Sequence, residues 1–118
     1  MILRVGRRSV EVVLPLPFDY GNRPDGTAKG MGFLGELKRP DGNISTEVSV
    51  GVNIGGKEMD IPTLVPTLTP DEINTVLSLP EGQPMPENIV RKAAEYAKKR
   101  IAAGKSPFAG PGEIVNGR

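Results

Sequence analysis

Between Ile44 and Ile54 the chain alternates with a period of two. Ile44, Thr46, Val48, Val50, Val52 and Ile54 fall on one face, and Ser45, Glu47, Ser49, Gly51 and Asn53 on the other. That alternation predicts a half-buried strand. Gly55-Gly56 then supplies a two-residue turn of the kind that closes hairpins. Pairing Ile54 with Lys57 sets Val52 opposite Met59 and Val50 opposite Ile61, so turn and pattern agree on one apolar face. With Phe33–Lys38 as a preceding strand, the pattern predicts a three-stranded antiparallel meander over about residues 33–65. Pro62 and Pro66 limit its last strand to an edge or force it out of the sheet.

The period then changes. Thr69 is placed as an N-cap, with Pro70 at the first helical position and Glu72 at the third, which is a capping box. Ile73, Val76 and Leu77 form a short stripe, and Pro80, Gly82 and Pro84 end the helix, giving about 70–78. A second helix is predicted over about 86–103. Its stripe is Ile89, Ala93, Tyr96, Ala97 and Ile101, with Gly104 as the C-cap and Pro107 just beyond. Residues 1–14 read as one or two short strands with a bend at Gly6-Arg7-Arg8. The fold class is α+β: a small meander packed with two C-terminal helices. Residues 1–32 would hold the N-terminal strands and a Pro/Gly-rich arm, 33–108 the domain, and 109–118 a flexible tail.

Fifteen Gly and twelve Pro in 118 residues, with 37% hydrophobic residues, leave little for a large core. The composition therefore predicts an extended protein that draws stability from partners or from copies of itself. There is no Cys and no His, which removes disulfides, thiolate metal sites and the usual general base together. The longest apolar run, Val10–Phe18, is broken by Glu11, Pro15 and Pro17, so no membrane segment is expected. The start lacks the layout of a signal peptide. A net charge of +1 speaks against wholesale binding to a phosphate backbone.

Arg-Pro-Asp-Gly occurs twice, at Arg23–Gly26 and Arg39–Gly42. A phosphate loop would open a helix, yet a strand follows the second copy. A calcium loop needs alternating oxygen ligands and a closing Glu, and Asp25 and Asp41 each stand alone. The favoured reading is two chain reversals, with Pro presetting φ and Gly taking the exit. No metal or cofactor is expected. Glu47 and Glu58 on the polar strand face would resemble a glycosidase pair only superficially, because a solvated face carries such residues anyway. The second helix carries Arg91, Lys92, Lys98, Lys99 and Arg100, followed by Lys105. DNA contact is conceivable there but not favoured over a solvated face with cations near the negative end of the helix dipole. The chain reads as non-enzymatic.

The stretches "GNRPDGT" (Gly21–Thr27), "GFLGEL" (Gly32–Leu37), "IPTLVPTLT" (Ile61–Thr69) and "GKSPFA" (Gly104–Ala109) together resemble a family of small proteins and modules encoded by tailed bacteriophages, especially short-tailed ones. The likeness covers about Tyr20 to Glu113. Members often carry a His in the second helix near the position of Tyr96, which this chain lacks. The resemblance implies a minor structural protein of the virion at the head-tail junction or tail, bridging larger subunits and present in several symmetric copies. It brings no catalytic residues. Partner contacts are expected from Pro15, Pro17, Phe18, Tyr20, Arg23 and Phe108, on the arm and at the start of the tail. Two alternatives remain: an internal protein ejected with the genome, and a non-virion factor binding a host protein through an exposed sheet edge.

Overall fold

The computed structural model describes residues 2–5, 8–11 and 20–115, with side chains from residue 20 onward. The architecture is α+β, with six short strands and two helices among the described residues. At the N-terminus, β1 (Ile2–Val5) and β2 (Arg8–Glu11) form an antiparallel pair, Val5 opposite Arg8. Pro15, Pro17 and Phe18 lie outside the described residues.

The predicted meander is divided. β3 (Leu37–Lys38) pairs with β4 (Ile44–Ser45), and β5 (Ser49–Ile54) pairs separately with β6 (Lys57–Pro62). The expected strand from Ile44 to Ile54 is interrupted at residues 46–48. There the Thr46 hydroxyl donates to the Gly30 carbonyl at 2.6 Å, and the Val48 carbonyl accepts from both the amide and the hydroxyl of Thr63 at 2.7 Å. Bonds to loops replace the ladder. The β5–β6 register is as the turn predicts: Ile54 opposite Lys57, Val52 opposite Met59 and Val50 opposite Ile61.

Helix α1 (Pro70–Ser78) has the expected capping box. The Thr69 hydroxyl accepts from Glu72 N–H at 3.2 Å, and the Glu72 carboxylate accepts from Thr69 N–H at 2.8 Å. The same carboxylate accepts from Lys92 Nζ at 2.7 Å and Asn88 Nδ2 at 2.9 Å, which ties α1 to α2 (Glu87–Ala102). These bonds, Lys92 first, hold the Glu72 carboxyl down at about 2. A Schellman closure ends α2, with Gly104 N–H to the Ile101 carbonyl and Lys105 N–H to the Arg100 carbonyl.

Two apolar clusters form the core. The larger gathers Phe33, Leu64, Val65, Leu68, Ile73, Val76, Leu77, Ile89 and Ala109. The smaller sets Ile61 against Ala93 and Ala97, whose short side chains let the β5–β6 hairpin lie close on α2. Ile101, the last position of the predicted stripe, runs past this contact and stays 40% exposed. Residues 20–115 are thus less extended than the composition predicts and carry a core of their own.

Candidate functional site

Both Arg-Pro-Asp-Gly segments are hairpin tips of one construction. Gly26 N–H donates to the Arg23 carbonyl and Gly42 N–H to the Arg39 carbonyl, each at 2.9 Å. One residue on, the arginine amides donate to Thr27 and Asn43 carbonyls at 2.7 Å. This is a type I turn followed by a bulged glycine at φ 91° and 89°, a conformation that any Cβ would strain. Asp25 and Asp41 accept from the amides of Thr27 and Asn43 at 2.9 Å, so both carboxylates serve their own turns. The Thr27 hydroxyl, at 2.6 Å, is the larger cause of a lowered Asp25 pKa. The two loops therefore reverse the chain, as the sequence suggests.

They differ in where the arginine goes. Arg39 donates to Ser45 Oγ within its own hairpin. Arg23 reaches across to Glu47, with Nε to Oε1 at 2.7 Å and Nη2 to Oε2 at 2.8 Å, a bidentate pair that leaves Glu47 only 3% exposed. Gly30 N–H adds a third bond to Glu47 Oε2 at 3.1 Å. The Glu47 hydrogen bonds raise the Arg23 pKa further. Glu47 was expected on a solvated strand face beside Glu58. It is buried instead, because the strand breaks at that point and the guanidinium replaces water. Glu58 meets the Asn53 side-chain amide at 3.2 Å, so the two carboxylates have separate partners.

The other face of the Arg23 guanidinium covers the Phe108 ring, with Cζ 4.7 Å from its centroid. Phe108 belongs to the stretch after α2, held by a second arginine. Arg100 Nε donates to the Ser106 carbonyl at 2.6 Å, and its Nη2 donates to the Phe108 carbonyl at 3.1 Å and Glu113 Oε1 at 2.8 Å. Its guanidinium also stacks 4.8 Å over Phe33, which meets Tyr96 edge-on at 5.1 Å. Arg100, aided by the Gly110 amide, holds the Glu113 carboxyl down at about 2. Val115 N–H donates to the Phe33 carbonyl at 2.6 Å. The expected flexible tail is therefore docked as far as Val115, because Arg100 gives three carbonyl and carboxylate groups a single anchor. The second half of the expected free arm is likewise fastened, through Arg23.

Of the six expected partner contacts, the structure brings Arg23 and Phe108 together. Tyr20 sits apart from them, its hydroxyl donating to Glu36 Oε2 at 2.5 Å with Met31 Sδ at 3.2 Å. The Glu36 carboxylate pushes the Tyr20 phenol up to about 12. On one side of the Arg23–Phe108 stack lies a cleft of about 510 Å³, walled by Ala28, Gly30, Met31, Ala109 and Pro111. A second cleft, of about 310 Å³, also borders the stack and reaches Asp25, Met59 and Asp60. Arg23, Asp25 and Ser106 in these walls all have internal hydrogen-bond partners. Beside these polar groups the larger cleft is lined by Ala28, Met31, Ala109 and Pro111, and the smaller by Pro24, Met59 and Pro107 together with Asp60. On α2, Lys92 and Arg100 are engaged in ion pairs, while Arg91, Lys98 and Lys99 face solvent. Among the described residues no group of three or more acidic, His or Cys side chains is placed to hold a metal, and no helix is long and apolar enough to cross a membrane.

Glu47 and Arg100 are the central residues that sequence reasoning missed. Their partners lie 24 and 13 residues away, and no periodicity signals such pairs. Comparison with known proteins finds no matching family model, curated protein or solved structure.

Proposed function

We propose that this chain is a non-enzymatic minor structural protein of a tailed bacteriophage particle, bridging larger subunits at the head-tail junction or tail in several copies. The observation that carries this reading is where the four resemblance motifs meet. Arg23 of the first motif stacks on Phe108 of the fourth, Phe33 of the second lies under Arg100, and Leu64, Val65 and Leu68 of the third fill the same core. Motifs from distant parts of the chain are thus devoted to fastening loops onto a small core. A reactive centre would instead hold titratable groups free to act. A rigid wedge with fixed, apolar-lined clefts suits a subunit that fills space between larger neighbours.

The test is quantitative mass spectrometry of purified particles of the encoding phage, calibrated against the portal protein. A fixed stoichiometry with the portal ring supports the reading. Absence from the particles overturns it.

A further inference from the structure

The β5–β6 hairpin has two edges of opposite character. Across its two-residue turn Ile54 and Lys57 form a hydrogen-bonded pair, and alternation makes Val52–Met59 and Val50–Ile61 the next such pairs. Pro62, which has no N–H, falls opposite Ser49 at a non-bonded position, and Thr63 N–H to the Val48 carbonyl continues the same parity. The backbone groups of Ser49, Gly51 and Asn53 therefore point outward, and their amides have no backbone partner among the described residues. The β6 edge is blunted by Lys57, Glu58, Asp60 and Pro62, the usual protection of an exposed edge. It also borders the loop at Arg23–Asp25 across the smaller cleft. The β5 edge, Ser-Val-Gly-Val-Asn-Ile, carries no charge and no proline. It is left open and undefended.

We propose that the β5 edge pairs antiparallel with β5 of a second copy about a two-fold axis at Gly51, joining two hairpins into one four-stranded sheet. Self-pairing meets no like charges, because the strand has none. Gly51 faces Gly51, Ser49 faces Asn53 of the other copy, and Val50 and Val52 fall opposite one another on the helix-covered face. In this register the other copy's Ile54 falls opposite Val48. There a cleft of about 550 Å³ lies beside the edge, lined by Val48, Val50, Val76, Leu79 and Met85 together with the charged Arg39 and Glu81. Ile54 is half-buried in one copy alone and gains the Val48, Val76, Leu79 and Met85 side of this cleft in the pair. The inference rests on the reading that copies of this chain sit side by side. Association of the purified chain tests the contact, whereas detection in particles tests the reading, so each can fail without the other.

Sedimentation velocity of the full chain at increasing micromolar concentrations is expected to show a dimer. The chain has no cysteine, so single substitutions report cleanly. Gly51→Cys is expected to cross-link on mild oxidation, since paired Cα atoms about 5.5 Å apart suit a disulfide. A Cβ at Gly51 meets only Asp60 Oδ1 at 3.5 Å, so the position accepts a side chain. Ser49→Cys should not link to itself, its two copies being roughly 13 Å apart along the strands. Gly51→Lys sets two cations face to face and should weaken the dimer at least tenfold, while the uncharged Gly51→Thr keeps it. A monomer at every concentration overturns the proposal. So does a dimer in which Gly51→Cys stays unlinked or Gly51→Lys still pairs. Capture of an unrelated strand at this edge by a monomeric chain overturns it in favour of a heterologous partner.

Discussion

Replacing Glu47 by Ala removes the acceptor from two Arg23 N–H groups and from Gly30 N–H. The Arg23 side chain is only 17% exposed, so water recovers little of what is lost. Stranding one member of a buried pair costs about 3 kcal/mol, and the orphaned amide adds about 1 kcal/mol. For a chain of this size that corresponds to a fall in Tm of roughly 15 °C. Glu47→Gln keeps the shape and one acceptor oxygen, and about half that loss is expected. Replacing both residues by Met removes the charge problem altogether, so Arg23→Met/Glu47→Met should return to within about 1 kcal/mol of the parent. Urea unfolding followed by circular dichroism measures all four proteins. If both Glu47 variants unfold within about 0.5 kcal/mol of the parent, the clamp does not hold the loop. If the double variant is as unstable as Glu47→Ala, the cost is packing and not an uncompensated charge.

Three further outcomes follow from the same geometry. Gly32 sits at φ +72°, where a Cβ would collide with the Thr46 carbonyl, whereas Gly26 has open space around it. Gly32→Ala should therefore lower the unfolding free energy from urea titration by about 2 kcal/mol or more, and Gly26→Ala by only about 1 kcal/mol. Glu72 and Glu113 titrate at about 2 in the folded chain, below the roughly 4.3 of an unfolded glutamate. Their stabilisation is thus present above that unfolded value and is lost as pH falls through about 4 toward 2, and Glu113→Gln should flatten the decline in urea midpoint over that window. Thr69→Ala removes the hydroxyl half of the capping box and should cost about 1 kcal/mol by the same measurement.

What the sequence made legible was local. Gly55-Gly56 determined the β5–β6 register because a two-residue turn leaves one pairing that keeps the apolar face intact. Thr69, Pro70 and Glu72 marked the start of α1 because their chemistry completes within one turn. The break after Ser45 was invisible, since Ser-Thr-Glu-Val continues the alternation without a flaw. Only the arrival of Arg23 and Gly30 from the preceding loops makes burial of Glu47 favourable there. The docking of residues 109–115 was hidden for the same reason. A Gly/Pro-rich tail looks free until Arg100, at the far end of a helix, supplies its anchor.

That anchor has a consequence for how the molecule breathes. The stretch from Ser106 to Val115 has no ladder of its own: its hydrogen bonds to the rest of the molecule converge on Arg100 with one further backbone bond at Phe33, alongside the Phe108 ring under Arg23 and Ala109 in the core. Groups that share one fastener let go together, so this stretch is a single opening unit rather than a fraying end. Its release would bare Phe33 and Ala109 at once while leaving both helices folded. The amide of Val115 is the reporter: its hydrogen exchange measures how often the closed form gives way, well below the free energy of global unfolding.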